Sequence, residues 1–254
     1  MKDQVIIITG GSSGMGKAMA KNFVEKGAHV VIAGRNAERL EETRQSLEQY
    51  EGKVLPIQVD IRDTEKVQFM VDETVKTFGK IDHLINNAAG NFICPAEDLS
   101  ENGWKAVIDI VLNGTWFCSQ AVGKHWIQSQ TKGSILNIIA TYAWGAAPGV
   151  IHSACAKSGV LTMTRTLAVE WGGKYGFRAN AIAPGPIENT GGADRLFGSN
   201  QALQRTIEGV PLGRVGRPEE IAHLASFLLS PGAEYINGDC ITMDGGQWLK
   251  HHYF

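Results

Sequence analysis

Apolar residues fall along this chain in short continuous runs, separated by stretches whose apolar positions recur every three or four residues. The first run covers residues 4–9 and is rich in isoleucine, and a glycine-rich turn joins it to an amphipathic stretch from about 16 to 26. The pattern repeats with runs at 29–33, 54–59, 81–86, 134–139, 178–183 and 240–243, which predicts seven strands with helices between them. Strands that are apolar throughout, not alternating, are buried on both faces, and parallel neighbours need helical crossovers. The expectation is an α/β fold of Rossmann type, a doubly wound parallel seven-stranded sheet in a single domain over 1–254, with ligands bound beyond the carboxyl ends of the strands. The segments lying there are 9–16, 34–35, 60–62, 86–92, 140–142 and 184–187. Residues 188–211 break the pattern, being polar and glycine-containing and then weakly amphipathic around 203–207, and are expected to form a lid.

Composition narrows the function. With 254 residues, 43% hydrophobic and 20% charged, the chain has the apolar content of one core, and no Pro/Gly/Ser-rich linker or charge run divides it. Its 24 basic and 26 acidic residues give a net charge of −2, so the electrostatic footprint of a nucleic-acid binder is missing and an anionic ligand must be held by local groups. No run approaches transmembrane length and no leader with a cleavage site precedes the first strand, which predicts no membrane partner and a cytoplasmic location. Cys94, Cys118, Cys155 and Cys240 lie far apart without CxxC or Cys/His spacing, which suits free thiols in a reducing compartment and predicts no metal site. His251 and His252 read as a solvated tail.

The turn Thr9-Gly10-Gly11-Ser12-Ser13-Gly14-Met15-Gly16 follows the first strand and opens the first helix. Glycine permits positive φ and lets backbone amides approach a pyrophosphate seated at the positive end of a helix. A dinucleotide is therefore expected against Gly10, Ser12, Ser13, Gly14, Met15 and Gly16. A site built for NAD places Asp or Glu at the end of the second strand, whereas this chain has Ala33-Gly34-Arg35. Arg35 can pair with a 2′-phosphate and stack on adenine, so NADP(H) is the expected cofactor; the competing reading is a surface arginine at the start of the next helix. Asp60, followed by Ile61, ends the third strand, where it can accept from the adenine amino group or cap the helix after Arg62.

Thr9-Gly10-x-x-x-Gly14-x-Gly16, Asn86-Asn87-Ala88-Ala89-Gly90, Lys157 and Pro184-Gly185 stand in the order and spacing of the short-chain dehydrogenase/reductase superfamily, which the chain resembles over nearly its whole length. It departs from that pattern in the catalytic set. The position four residues before the lysine, a tyrosine in the superfamily, is Ser153; the customary serine is replaced by Ala140 and the helix asparagine by Val111. Either the chain binds a cofactor without catalysis, or the proton-handling group has moved. The motif at 86–92, Asp109-Ile110-Val111-Leu112-Asn113-Gly114-Thr115, Tyr142 fifteen residues before Lys157, and Pro184-Gly185-Pro186-Ile187 together resemble the NADPH-dependent 2,4-dienoyl-CoA reductases.

That resemblance implies Tyr142, Lys157 and Asn91 as catalytic residues, with Lys157 also held against the nicotinamide ribose. It further implies cofactor contacts from Asn87, Ala88, Pro184, Gly185 and Ile187, an acyl wall at Phe92, substrate contacts from Arg62, Ser100 and Arg195, an acyl-CoA substrate, and a homotetramer. Adding hydride at the far end of a conjugated dienoyl thioester drives negative charge onto the thioester oxygen. Tyr142 and Asn91 are expected to donate to that oxygen, at about 3–4 kcal/mol for each well-placed donor. Lys157 is expected to draw the tyrosine below its usual pKa of about 10. Protonation of the α-carbon, by Tyr142 or by water, completes the 3-enoyl thioester. The plainer alternatives are a packed aromatic at 142 beside Trp144 and a turn residue at 91. Leu196, Phe197 and Leu203 are placed to cover an acyl chain, Arg195 to meet a coenzyme A phosphate, and Trp248, Tyr253 and Phe254 to suit a subunit contact. Two other functions remain open on sequence: reduction of a ketone or quinone-like carbonyl with Tyr142 as donor, and a non-catalytic NADP-binding role.

Overall fold

The computed structural model describes residues 1–190 and 200–250. Seven parallel strands, β1 (Val5–Thr9), β2 (His29–Gly34), β3 (Val54–Gln58), β4 (His83–Asn86), β5 (Ser134–Ile138), β6 (Arg178–Pro184) and β7 (Cys240–Met243), form one sheet in the order β3-β2-β1-β4-β5-β6-β7. Between them run α1 (Gly14–Glu25), α2 (Ala37–Leu47), α3 (Thr64–Phe78), α4 (Glu101–Ile108), α5 (Gly114–Ser129), α6 (Ile151–Tyr175), α7 (Asn200–Glu208) and α8 (Pro218–Leu228). The doubly wound expectation holds, and each predicted strand lies within two residues of the observed one.

Period-two geometry explains why the strand runs are apolar throughout. Ile6 and Ile8 of β1 and Val30 and Ile32 of β2 face Met19 and Phe23 of α1 and Ile221 and Leu228 of α8. Ile7 and Val31, between them, face Val67 and Met70 of α3 and Val122 and Trp126 of α5. Full burial of such a side chain is worth about 1.5–3 kcal/mol, so a slip of one residue in register would cost both layers together. Ile8 sits opposite Ile32 on one side and Ile85 on the other, which fixes the three strand ends carrying the candidate site at one level.

One local expectation is corrected. Asp60 does not cap α3; Asp63 does, its carboxylate accepting from Glu65 N at 3.0 Å and Lys66 N at 3.2 Å. Within the segment expected to be a lid, the amphipathic stretch around 203–207 forms part of α7, while 191–199 lie outside the described residues. Both sides of that segment are joined by a parallel bridge between Ile187 and Gly216. Among the described residues no helix is long and apolar enough to cross a membrane.

Candidate active site

The carboxyl ends of β1, β2, β3 and β4 enclose a cleft of about 370 Å³. Gly10, Ser12, Ser13, Gly14 and Met15 line it from the first turn, and Arg35, Asp60, Ile61, Asn87, Ala88 and Asn91 line it from the next three strand ends. Gly10 and Gly14 have φ of 65° and 47°, a backbone that other L residues seldom adopt. Ser13 stands at the N-cap of α1 but places no side-chain hydrogen bond on the first turn, so nothing from the side chain competes for its amides. Gly16 lies beneath the turn and not in the cleft, where an added Cβ would fall 2.2 Å from the Gly10 carbonyl oxygen. The strands are stitched at this point: Thr9 Oγ1 accepts from the amides of Asn87 and Ala88, each at 3.0 Å, while Asn87 Nδ2 donates to Thr9 O at 3.0 Å and Gly10 O at 3.2 Å. This cradle fits a dinucleotide, whose pyrophosphate the turn's amides would receive.

The far corner of the cleft holds residues that motif reading missed. Arg39 and Asn36 line it beside Arg35, with Asn36 Oδ1 capping α2 by accepting from Arg39 N at 2.9 Å. The signal was present as an N-cap residue following Arg35, with a second arginine one turn on. Asp60 is engaged by Arg62, whose guanidinium reaches its two oxygens at 2.6 to 3.1 Å. That contact holds the Asp60 carboxyl below its ordinary range. Arg62 thus pairs with the Asp60 carboxylate at the edge of the cleft, and Asp60 lines the cleft with that partner in place.

The catalytic half forms around the end of β5. A short 3₁₀ turn, Thr141–Ala143, carries Tyr142, and its hydroxyl lies 3.0 Å from Ser153 Oγ on the first turn of α6. One turn further along the same face, buried Lys157 donates from Nζ to Ile138 O at 2.5 Å. Burial alone pulls the Lys157 ammonium down to about 8. Burial also raises the Tyr142 pKa, with the Ser153 hydrogen bond acting weakly the other way. The expectation of a lowered tyrosine is therefore corrected: the ammonium is bonded to the β5 carbonyl, and desolvation of the phenol dominates.

Asn91 lines the cleft at the end of β4, and its Oδ1 accepts from Phe92 N at 2.9 Å. Phe92 meets His152 edge-on, with ring centroids 4.5 Å apart. Ser100 caps α4, its hydroxyl accepting from Gly103 N at 3.1 Å, and it stands with Phe92 around Gly103. Pro184, Gly185 and Ile187 do not line the cleft: Gly185 N donates to Met243 O at 3.0 Å with its Cα packed on Asp244, and Ile187 is buried by its bridge to Gly216. Trp248, expected at a subunit contact, packs against Trp144 of its own chain with centroids 5.6 Å apart. Arg195, Leu196, Phe197, Tyr253 and Phe254 lie outside the described residues.

Known proteins share this fold. Residues 10–247 match the model of the family described as enoyl-(acyl carrier protein) reductase. A Bacillus subtilis (strain 168) protein named probable 2,4-dienoyl-CoA reductase, (2E)-enoyl-CoA-producing, is 65% identical over 254 residues, 100% of both chains. The Danio rerio peroxisomal 2,4-dienoyl-CoA reductase, (3E)-enoyl-CoA-producing, is 43% identical over 250 residues, covering 98% of this chain and 83% of that one. A solved short chain dehydrogenase from Bacillus anthracis str. 'Ames Ancestor' superposes with a TM-score of 0.93 at 62% identity, covering 98% of each chain. The glycine cradle, the parallel sheet and a match running through 10–247 agree, and the chain belongs to the enoyl-(acyl carrier protein) reductase family of the short-chain dehydrogenase/reductases.

Proposed function

We propose that the protein is an NADPH-dependent oxidoreductase that reduces a 2,4-dienoyl-CoA, or a related unsaturated acyl thioester, and that it works as a cytoplasmic homotetramer. The observation that carries the reading is the relocated phenol: with serine at 153, the tyrosine hydroxyl comes in from the β5 loop and bonds that serine at 3.0 Å, one turn of α6 before Lys157. The names borne by relatives 65% and 43% identical support the substrate class. Arg35 and Arg39 in one corner of the cleft support NADPH over NADH.

Bound NADPH supplies a hydride to C5 of the diene. The Tyr142 hydroxyl and the Asn91 amide donate hydrogen bonds to the thioester oxygen, and these strengthen as the dienolate forms. Phe92 would pack along the acyl chain, and Lys157 would hold the nicotinamide ribose. A proton added at C2 then gives the 3-enoyl thioester, and one added at C4 gives the 2-enoyl thioester. Both products share one dienolate and one oxyanion site. We read C2 as the protonated carbon; the (2E) product in the name of the Bacillus subtilis relative favours C4 as the second reading.

Following NADPH absorbance with purified protein tests the function. Turnover is expected with a short 2,4-dienoyl-CoA and little or none with 3-oxoacyl thioesters. Turnover of the oxo compounds alone overturns the reading in favour of carbonyl reduction, and NADPH binding without turnover of any compound leaves a non-catalytic role. Proton NMR of the product assigns the double bond to C3 or C2.

A further inference from the structure

A histidine is a costly way to fill a core, since an apolar residue of its size would leave no polar atom to satisfy. His152 is nonetheless fully buried, and its Nε2 has no hydrogen-bond partner among the described residues. Burial lowers the imidazole's pKa, opposed in part by the Val150 carbonyl, so the ring is neutral. Its surroundings give it a task. The ring stands edge-on to Phe92 at 4.5 Å with an interplanar angle of 78°, and its Nδ1 accepts from Ser153 N at 2.7 Å.

These contacts close a chain across the site. Asn91 Oδ1 holds Phe92 N, the Phe92 ring meets His152, His152 holds the Ser153 amide, and Ser153 Oγ meets the Tyr142 hydroxyl. The two ends of the chain, Asn91 and Tyr142, are the two groups read above as donors to one thioester oxygen. They come from different loops, one after β4 and one after β5, and the chain runs through the first turn of α6 between them.

We propose that His152 is a positioning residue for the reduction: it sets the distance between the Asn91 loop and Tyr142, so that both donors meet the same oxygen. The inference rests on the two-donor reading of Asn91 and Tyr142. The ring carries this role: its edge keeps Phe92 in place, while the Nδ1 contact reaches only the amide of the adjoining residue, which the chain itself already ties to the ring. A misplacement of about 1 Å between two such donors is enough to cost up to about a hundredfold in rate.

A double-mutant cycle tests it, using the full chain with NADPH and a short 2,4-dienoyl-CoA. Expected results are a kcat lower by about tenfold in His152→Ala, an NADPH dissociation constant within about twofold of wild type, and most of the kcat restored in His152→Phe, which keeps the ring edge against Phe92. In an Asn91→Ala background the further effect of His152→Ala is expected to shrink to about twofold or less, because the donor that it positions is gone. Full tenfold losses that multiply in the double variant overturn the inference while leaving the two-donor reading intact. Equal losses in His152→Ala and His152→Phe also overturn it, pointing to chemistry at the imidazole. An unchanged kcat in Asn91→Ala alone overturns the two-donor reading, and this inference with it.

Discussion

Arg35 and Arg39 lie one helical turn apart in the cleft, and the carboxylate nearby, Asp60, is already bound by Arg62. A ligand phosphate in that corner therefore meets two cations without a competing acid. Charge-assisted hydrogen bonds contribute about 1.5–3 kcal/mol each, so Arg35→Ala and Arg39→Ala are each expected to weaken NADPH binding by at least about tenfold. NADH, which lacks the 2′-phosphate, is expected to change by no more than about twofold in the same fluorescence titration. Equal weakening of both nucleotides would place these arginines on the adenine or the fold instead. Ser153 is a second residue with a defined role, as the partner of the Tyr142 hydroxyl. Its hydroxyl is a neutral partner of Tyr142 and touches no other described side chain by hydrogen bond, so Ser153→Ala is expected to lower kcat by roughly tenfold or less, well short of removing the phenol.

Among the elements, α3 offers a clean check of which aspartate does what. Asp63→Ala removes the cap and is expected to lower unfolding free energy by about 1 kcal/mol with coenzyme affinity kept, whereas Asp60→Ala spares the helix and alters nucleotide binding. Urea unfolding of both variants decides it; a destabilised Asp60→Ala beside an unaffected Asp63→Ala would reverse the assignment. The strands were legible because each is buried on both faces, which leaves an unbroken apolar run such as 4–9. The glycine turn was legible because positive φ at Gly10 and Gly14 demands the residue. The choice between Asp60 and Asp63 was not, because a cap depends on where the backbone turns, and two acids three residues apart satisfy the same composition rule. Tyr142 was found by resemblance. Its hydrogen bond to Ser153 and the contact of Phe92 with His152 join loops far apart in sequence, and no local periodicity reports such pairs. Pro184, Gly185 and Ile187 were named by motif alone; their backbone also serves the joint between β6, β7 and the Gly216 bridge, a pairing that no local pattern reports.

At the scale of the molecule, all strands run parallel but the order in which they are added reverses between β1 and β4, and doubly wound folds leave a crevice at that switch. The glycine cradle occupies it, while Tyr142 and Lys157 stand at the neighbouring end of β5, so coenzyme and reacting groups are set side by side by strand order alone. Lys157 carries a cost for the whole fold. Burial lowers its pKa from 10.5 to about 8, so between these values the unfolded chain holds a proton that the folded one has lost, and stability rises with pH. Below about 8 both states are protonated and the penalty is constant. Wild type is therefore expected to gain on Lys157→Met by about 1.4 kcal/mol per pH unit across pH 8 to 10, measured by urea unfolding without nucleotide. A difference flat in pH would show that the ammonium is better solvated than its burial implies. The central claim is that the phenol of Tyr142 stabilises the dienolate. Its most direct test is kcat of Tyr142→Phe at saturating NADPH and short 2,4-dienoyl-CoA: a fall of about 10²-fold or more, with NADPH affinity retained, is predicted, and turnover equal to wild type would contradict it.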